Sequence, residues 1–154
     1  MNRLLWLIKI TNIQYFIKGF KYYAVFGGRV NRKEFWFFML YWAIFYFLIV
    51  ATENIMGLNN IDFSDFSFAK YIPLLQISKK VGVLTLLYRP ITLLPSLSIA
   101  IRRLHDINIS GCWSILFITP FGLFLLIPLI RKGNEHTNKY GLPSQNNPLV
   151  THPL

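Results

Sequence analysis

Apolar residues are concentrated in three stretches of the chain, at residues 35–51, 81–101 and 113–130. The first stretch contains no Asp, Glu, Lys or Arg, and its aromatic residues would surround a helix on every side. A buried helix of a small soluble domain would instead show a polar stripe at helical period. About 17 helical residues rise roughly 25 Å, near the lower limit for crossing a hydrocarbon core. The pattern predicts an all-α, multi-pass transmembrane protein with about three membrane segments.

The second stretch is long enough to cross a bilayer but carries Arg89 and Pro90 near its middle. An arginine at mid-bilayer costs about 2.5–3.5 kcal/mol on insertion scales, and the proline removes a backbone hydrogen bond. Arg89 is therefore either an intramembrane cation facing a polar cavity, or it reaches an interface because the helix shifts or kinks. The second interpretation is favoured, because no acidic residue in the three stretches could neutralise Arg89.

The third stretch is interrupted by helix-breaking residues, namely Pro120, Gly122 and Pro128. One interpretation is a single kinked crossing, because neighbouring helices can satisfy the backbone groups that a proline frees. The other is a re-entrant pair of short helices that turns near residues 119–122. The apolar pattern alone leaves both open.

Charge bears on this choice. Seven basic residues precede the first stretch: Arg3, Lys9, Lys18, Lys21, Arg29, Arg32 and Lys33. The positive-inside rule then places the N-terminus in the cytoplasm, and two crossings return Arg102 and Arg103 to the same side. A third crossing would export the cations that follow, whereas a re-entrant hairpin would keep them inside: Arg131, Lys132 and Lys139. We expect three crossings, because a hairpin leaves backbone ends at membrane depth that must be buried in protein.

Residues 1–22 form a basic arm in which apolar residues recur at helical spacing: Trp6, Ile10, Ile13, Ile17 and Phe20. This pattern predicts an amphipathic helix that lies on the membrane surface. Residues 23–145 then form the membrane domain. Residues 146–154, at the end of a polar segment rich in Asn and Pro, are expected to be a flexible tail.

The composition agrees with a membrane protein and gives little sign of catalysis. Hydrophobic residues make up 54% of the chain and charged residues 14%, which is apolar for a soluble domain of this size. Cys112 is the only cysteine, and the histidines lack the spacing of a zinc site: His105, His136 and His152. Phosphate-binding glycine loops, serine-nucleophile elbows and paired carboxylates are also missing from the sequence. We predict no catalytic residue, no metal and no cofactor.

Two charged clusters adjoin the apolar stretches, the first made of Arg29, Arg32, Lys33 and Glu34, and the second of Arg102, Arg103, His105 and Asp106. In the predicted topology both lie on the cytoplasmic face. We expect Glu34 to pair with an arginine of the second cluster and Asp106 with one of the first. The formal charge of +10 leaves surplus cations, whose nearest partner is anionic phospholipid rather than nucleic acid. The alternative is that the clusters are independent topology anchors.

Four motifs occur in order within residues 15–145: the run Tyr23–Trp36, then Leu94-Pro95-Ser96-Leu97 leading to Arg102–Asp106, then Ser110–Trp113, and finally Asn138-Lys139-Tyr140-Gly141 with Pro143. Together they resemble the small bacterial inner-membrane proteins grouped as domain of unknown function 805 (DUF805). The resemblance implies a multi-pass protein of the bacterial cytoplasmic membrane with no established activity. Family members more usually carry a basic residue at position 31 and a tryptophan at position 112, which argues further against catalysis by Cys112.

Three functional hypotheses follow. The first is a non-enzymatic membrane protein whose cytoplasmic-face clusters bind anionic lipid headgroups or a membrane partner. That partner could be a second copy of the chain, which would help to bury Arg89. The second is a transporter or channel subunit in which Arg89 lines an anion path. The third and least favoured is a membrane enzyme acting on a phospholipid, with His105 as acid or base and Asp106 as its orienting group.

Overall fold

The computed structural model describes residues 12–58, 61–62, 80–118 and 120–143. These residues form, in chain order, α1 (Gln14–Lys21), α2 (Arg32–Met56), β1 (Ile61–Asp62), β2 (Lys80–Val81), α3 (Val83–Asp106), two 3-10 helices (Gly111–Ile118 and Pro120–Leu125) and α4 (Leu126–Ile130). The strands form one short antiparallel pair. The predicted tail at 146–154 and residues 1–11 of the predicted surface helix lie outside the described residues.

The first predicted membrane segment lies within α2, which is longer than its apolar stretch. The helix begins after Asn31, whose side chain accepts a hydrogen bond from the Glu34 backbone N–H at 2.8 Å. It ends at Gly57, which adopts the left-handed conformation with φ of 65°. Its 25 residues extend for about 37 Å. Because it continues to Met56, α2 includes Glu53, which lies beyond the apolar stretch at 35–51.

The second predicted segment corresponds to α3, a helix of 24 residues that continues through both Pro90 and Pro95. The helix extends to Asp106, beyond the predicted boundary at residue 101. Arg89 therefore lies about 9 Å from the start of α3 and about 26 Å from its end, rather than near its middle. This position shortens the distance that the Arg89 side chain must cover to reach an interface.

Both α2 and α3 are long and apolar enough to cross a membrane. Only 11% of the most apolar window of α2 and 33% of that of α3 are buried within the chain, whereas the core helix of a soluble protein is mostly buried. The exposed positions are large apolar side chains such as Phe47, Leu87 and Leu93. Among the described residues, these two helices form the apolar pair that a bilayer can surround.

Hydrogen bonds made by polar side chains join α2 to α3. Trp42 donates its indole N–H to the Thr92 hydroxyl at 3.0 Å, and the Tyr88 hydroxyl donates to the Trp42 carbonyl at 2.8 Å. Arg89 donates from Nη2 to the Tyr46 hydroxyl at 3.0 Å. In a membrane such bonds give the polar atoms of an apolar helix a protein partner.

The third apolar stretch does not form one continuous helix. Its described residues form the two 3-10 helices and α4, and the second 3-10 helix begins at Pro120. The two 3-10 helices approach each other closely at Gly122, where an added Cβ would lie 3.0 Å from the Leu116 carbonyl oxygen. A Cβ at this position would be in tight contact with the backbone of the first 3-10 helix, so a larger residue would require a small local shift.

This segment also starts and ends beside the last turns of α3. At its start, Gly111 packs against Ile101 and His105 of α3. At its end, the Leu129 carbonyl accepts a hydrogen bond from Nε of Arg103 at 3.1 Å. A straight helix from 113 to 130 would instead carry its end about 25 Å away. The two ends of this segment therefore lie beside the same end of α3, and the three predicted crossings stay a prediction.

The buried hydrophobic core lies where α2 begins and α3 ends. Its members come from α2, α3 and the third apolar stretch, together with one residue just before α2: Val30, Phe35, Phe38, Ile99, Ala100, Leu104, Leu125 and Leu129. Helix α1 packs on this core through Phe16, which stacks on Phe38 with ring centroids 5.4 Å apart. Gly19 lies directly against the Phe38 ring, so an added side chain there would clash.

Candidate functional site

Two charged residues of α3 meet a third, from just before α2, at the end of α3. Asp106 Oδ1 lies 3.0 Å from Arg29 Nε, and Asp106 Oδ2 lies 2.5 Å from Arg103 Nη1. All three side chains are buried, with at most 3% of any one exposed. We call Arg29, Arg103 and Asp106 the charged clasp. It joins residues 77 positions apart in the sequence, as the predicted contact between the two clusters requires.

The clasp carries two positive charges and one negative charge, and backbone carbonyl groups complete its bonding. Arg29 donates from Nη1 to the carbonyls of His136 at 2.8 Å and Gly141 at 3.2 Å, and from Nη2 to that of Asn134. Arg103 donates from Nη2 to the Arg131 carbonyl. A buried guanidinium needs such acceptors, because an unpaired buried charge is costly. The clasp therefore holds the segment from 129 to 141 against α3.

Gly133 shows how closely this segment fits. A Cβ added at Gly133 would overlap the Asp106 carboxylate. The next residue, Asn134, donates its backbone N–H to the Asp106 carbonyl at 2.9 Å. The last turn of α3 thus receives a backbone partner from the returning segment, which satisfies one of the carbonyls that a helix end leaves free.

Glu34 and Arg102 belong to a second buried group beside the clasp. Glu34 forms its ion pair with Lys18 of α1, at 3.4 Å, which differs from the predicted arginine partner. Arg102 donates to the Ser98 carbonyl at 3.4 Å, and its guanidinium carbon lies 6.0 Å from the Tyr22 ring centroid. The packing of α1 on α2 brings Lys18 to Glu34. Burial lowers the pKa of Lys18 from its ordinary value, and the negative charge of Glu34 opposes this shift.

The remaining two cations of the first cluster, Arg32 and Lys33, are exposed on the first turn of α2. They line a cleft of about 460 Å³, which we call the α2 cleft, and its other walls are Trp36, Phe37, Leu40 and Ile130. Arg32 Nη1 approaches the Ile130 carbonyl at 3.5 Å across this cleft. Of the predicted surplus cations, Arg29, Arg102 and Arg103 are therefore buried, whereas Arg32 and Lys33 remain accessible.

His105 and Asp106 do not contact each other as an acid–base pair. The His105 ring stacks on Tyr140 with centroids 3.7 Å apart, and its Nδ1 lies 3.3 Å from the Gly28 carbonyl oxygen. The Asp106 carboxylate binds the two arginines of the clasp instead. The other ring nitrogen of His105 approaches Gly111, at the edge of a cleft of about 540 Å³ that also includes the exposed Cys112. Within the described residues, no group of three His, Cys, Asp or Glu side chains could hold a metal ion.

Arg89 lies apart from both clusters, half-buried between α2 and α3. Its guanidinium carbon is 5.9 Å from the centroid of the Tyr46 ring, whose hydroxyl also accepts its hydrogen bond. A tyrosine thus shields part of this charge from its apolar surroundings. The contact involves residues 43 positions apart, so spacing along the sequence gave no sign of it.

Glu53 is a buried acid that sequence reasoning missed. Only 1% of the residue is exposed, and Oε1 accepts the Thr85 backbone N–H at 3.0 Å. Gly82 precedes α3 and has no side chain to cap it, so the carboxylate of α2 fulfils this role. A signal was present: Gly82 stands directly before an apolar helix, at a position where a capping side chain is usual.

The comparisons with known proteins concern the same part of the chain. Residues 23–142, which include the whole clasp and the α2 cleft, match the family model described as "Protein of unknown function (DUF805)". The chain belongs to the DUF805 family. This confirms the resemblance that the four sequence motifs indicated.

Two relatives of this DUF805 protein come from Escherichia coli (strain K12). Inner membrane protein YhaI is 35% identical over 131 residues, which cover 84% of this chain and 93% of the relative. Inner membrane protein YhaH is 30% identical over 131 residues, which cover 84% of this chain and 94% of the relative. No solved structure matches the chain. Because its relatives are inner membrane proteins and it has two apolar helices of membrane length, this DUF805 chain is a membrane protein.

Proposed function

We propose that this protein is a non-enzymatic, multi-pass component of the bacterial cytoplasmic membrane that binds anionic lipid headgroups at its cytoplasmic face. The observation that carries the proposal is the division of the basic residues. Arg29 and Arg103 are buried and pair with Asp106 in the clasp, whereas Arg32 and Lys33 are exposed beside apolar side chains. Exposed cations at the end of a membrane helix lie at the depth of lipid phosphates.

In this proposal α2 and α3 cross the membrane, and the third apolar stretch enters and leaves on one side. The N-terminus, the clasp and the C-terminal segment then all lie in the cytoplasm, while α1 rests on the membrane surface. This arrangement keeps Arg131, Lys132 and Lys139 inside, as the positive-inside rule prefers. It is supported by the hydrogen bonds from Arg29 to the carbonyls of residues 134–141.

The expected attraction of these cations to the membrane is modest, and it favours anionic over zwitterionic lipid. Each Lys or Arg close to an anionic surface contributes about 1 kcal/mol, so Arg32 and Lys33 together supply about 2 kcal/mol. The guanidinium of Arg32 adds bidentate geometry toward a phosphate. Salt should weaken this attraction, because both side chains are solvent-accessible.

Tryptophan quenching by brominated lipids tests the proposal. The full chain is reconstituted into phosphatidylcholine vesicles that contain a minor fraction of phosphatidylglycerol, with bromine placed on one lipid or the other. We expect brominated phosphatidylglycerol to quench more strongly than its share of the lipid requires, and the double variant Arg32→Gln/Lys33→Gln to lose most of this excess. High salt should also lower it.

The matched control is the double variant Lys132→Gln/Glu135→Gln, which removes an exposed ion pair and leaves the net charge unchanged. This variant should retain the excess quenching. If the unmodified protein shows no preference for brominated phosphatidylglycerol at low salt, the proposed function is wrong.

The alternative proposal is a transporter or channel subunit in which Arg89 lines an anion path. The half-buried position of Arg89 between the two long helices favours it. In that case Arg89→Leu should abolish anion flux in vesicles while the protein still inserts. The hydrogen bond to Tyr46 and the location of Arg89 near the start of α3 favour a structural role, in which the same variant changes only insertion or stability.

A further inference from the structure

We propose that the α2 cleft binds one molecule of an anionic glycerophospholipid, with the phosphate at Arg32 and Lys33 and an acyl chain along the apolar wall. This inference rests on the proposed function and deepens it. The proposed function requires anionic lipid to gather at the cytoplasmic face. The further inference requires a discrete site that holds a single lipid.

The polar end of the cleft is built to hold a phosphate. Arg32 has five N–H donors, and among the described residues it makes a single hydrogen bond, the 3.5 Å contact with the Ile130 carbonyl. Lys33 is the next residue and is also exposed on the cleft. In contrast to the arginines of the clasp, these two side chains keep donors for an external anion. A guanidinium and an ammonium side by side suit a phosphate group that bears a negative charge.

The wall below the cations is apolar and follows α2 toward the membrane interior. Trp36 and Leu40 stand one helical turn apart on the same face and are 38% and 50% exposed. Ile130, at the end of α4, forms the opposite side and is 56% exposed. From Arg32 to Leu40 the helix rises about 12 Å, so the cleft passes from headgroup depth into the hydrocarbon region.

The position of two cations above an apolar wall favours one class of ligand. A free phosphate ion would use the cations but gain nothing from the apolar wall. A zwitterionic lipid would fill the wall, but its headgroup carries no net charge to match two cations. An anionic glycerophospholipid uses both parts at once. A volume of about 460 Å³ is sufficient for the headgroup, the glycerol and the start of one acyl chain, and the remaining chain would stay in the bilayer.

Native mass spectrometry of the full chain in detergent tests this site. The delipidated protein is titrated separately with phosphatidylglycerol, phosphatidylcholine and inorganic phosphate. We expect a saturable complex with one phosphatidylglycerol, at least about tenfold weaker binding of phosphatidylcholine, and no competition by inorganic phosphate at equal concentration.

Two kinds of variant separate the two ends of the cleft. Arg32→Gln/Lys33→Gln removes the cations, and its matched control Lys21→Gln/Lys139→Gln removes two exposed cations elsewhere. Leu40→Trp fills the apolar wall without a change of charge, and Ile130→Trp fills it from the opposite side, so that one variant remains informative if the other folds poorly. Each variant is first checked for an unchanged unfolding temperature.

We expect the cation-free variant and at least one wall-filling variant to weaken phosphatidylglycerol binding about tenfold, and the control pair to change it less than twofold. If the wall-filling variants bind normally, or if the control pair is as damaging as Arg32→Gln/Lys33→Gln, a discrete lipid site is excluded. The excess quenching by brominated phosphatidylglycerol would survive that outcome, so failure of the cleft is distinguishable from failure of the proposed function.

Discussion

The two ends of the α2–α3 pair both bury charge, but they do so with opposite signs. At the start of α3, the Glu53 carboxylate accepts hydrogen bonds from the backbone N–H and the hydroxyl of Thr85. At the end of α3, Arg29 and Arg103 surround Asp106 and donate to backbone carbonyls. Each sign matches the end of the helix dipole that it faces, negative at the N-terminus and positive at the C-terminus.

The two ends differ in which segments of the chain supply hydrogen-bond partners for the buried charges. Among the described residues, the hydrogen bonds of the Glu53 carboxylate stay within α2 and α3, because both come from Thr85. The clasp carries a surplus positive charge, so it requires the carbonyls of a third segment, from Leu129 to Gly141. The end of α3 therefore depends on contacts with a third segment, whereas the contacts of Glu53 that the structure describes stay within the helix pair.

Asp106→Asn should have the largest effect on this comparison. The variant leaves Arg29 and Arg103 buried without a counterion, which typically destabilises a protein by about 3–5 kcal/mol. Chemical unfolding in detergent, followed by circular dichroism, measures the loss. The control is Glu135→Gln, because Glu135 forms an exposed ion pair with Lys132 and should leave the unfolding curve unchanged. Equal stability of the two variants would show that the clasp carries no stabilising role.

Glu53→Ala should have a smaller effect at the opposite end. It leaves the Thr85 backbone N–H without an acceptor but leaves no buried charge without a counterion. We therefore expect the free energy of unfolding to fall by about 1–3 kcal/mol. Glu53→Gln keeps an oxygen acceptor and should lose less. The same unfolding measurement ranks the three variants. A loss for Glu53→Ala above that for Asp106→Asn would reverse the comparison between the ends.

Thr92→Val should have the smallest effect, in the region between the two ends. The substitution keeps the shape of the side chain but removes the acceptor of the Trp42 indole N–H. Hydrogen bonds between membrane helices average about 0.6 kcal/mol, so the unfolding free energy should fall by about this amount. Thr52→Val is the matched control, because the Thr52 hydroxyl donates to the Leu48 carbonyl within α2. A larger loss at Thr52 would show that the interhelical bond is not what matters.

The two long helices could be predicted from sequence because length and apolar content are local properties. The apolar run at 35–51 identified α2, and the four motifs identified the family. The boundaries were less accurate, because polar residues at helix ends gain partners from elsewhere in the fold. Glu53 lies beyond the apolar stretch at 35–51, although its hydrogen bond with Thr85 places it inside the α2–α3 pair.

The candidate site was predictable in composition but only partly in its contacts. The pairing of Asp106 with Arg29 follows from opposite charges on motifs that the topology brings together. The partner of Glu34 did not follow, because Lys18 reaches it only through the packing of α1 on α2. The path of the third stretch did not follow either. Prolines and glycines mark where a helix breaks, but the direction of the chain afterwards depends on acceptors that Arg29 and Arg103 require.

The central proposal, that the third apolar stretch enters and leaves the membrane on one face, is tested most directly by cysteine labelling. Cys112 is the only cysteine of the chain and is exposed just before this stretch. Glu135→Cys and Met56→Cys, each in a Cys112→Ser background, report the position after the stretch and the far end of α2. We predict that a membrane-impermeant maleimide labels Cys112 and position 135 only in inverted inner-membrane vesicles, and position 56 only in intact spheroplasts. Labelling of Cys112 and position 135 from opposite sides would contradict the account.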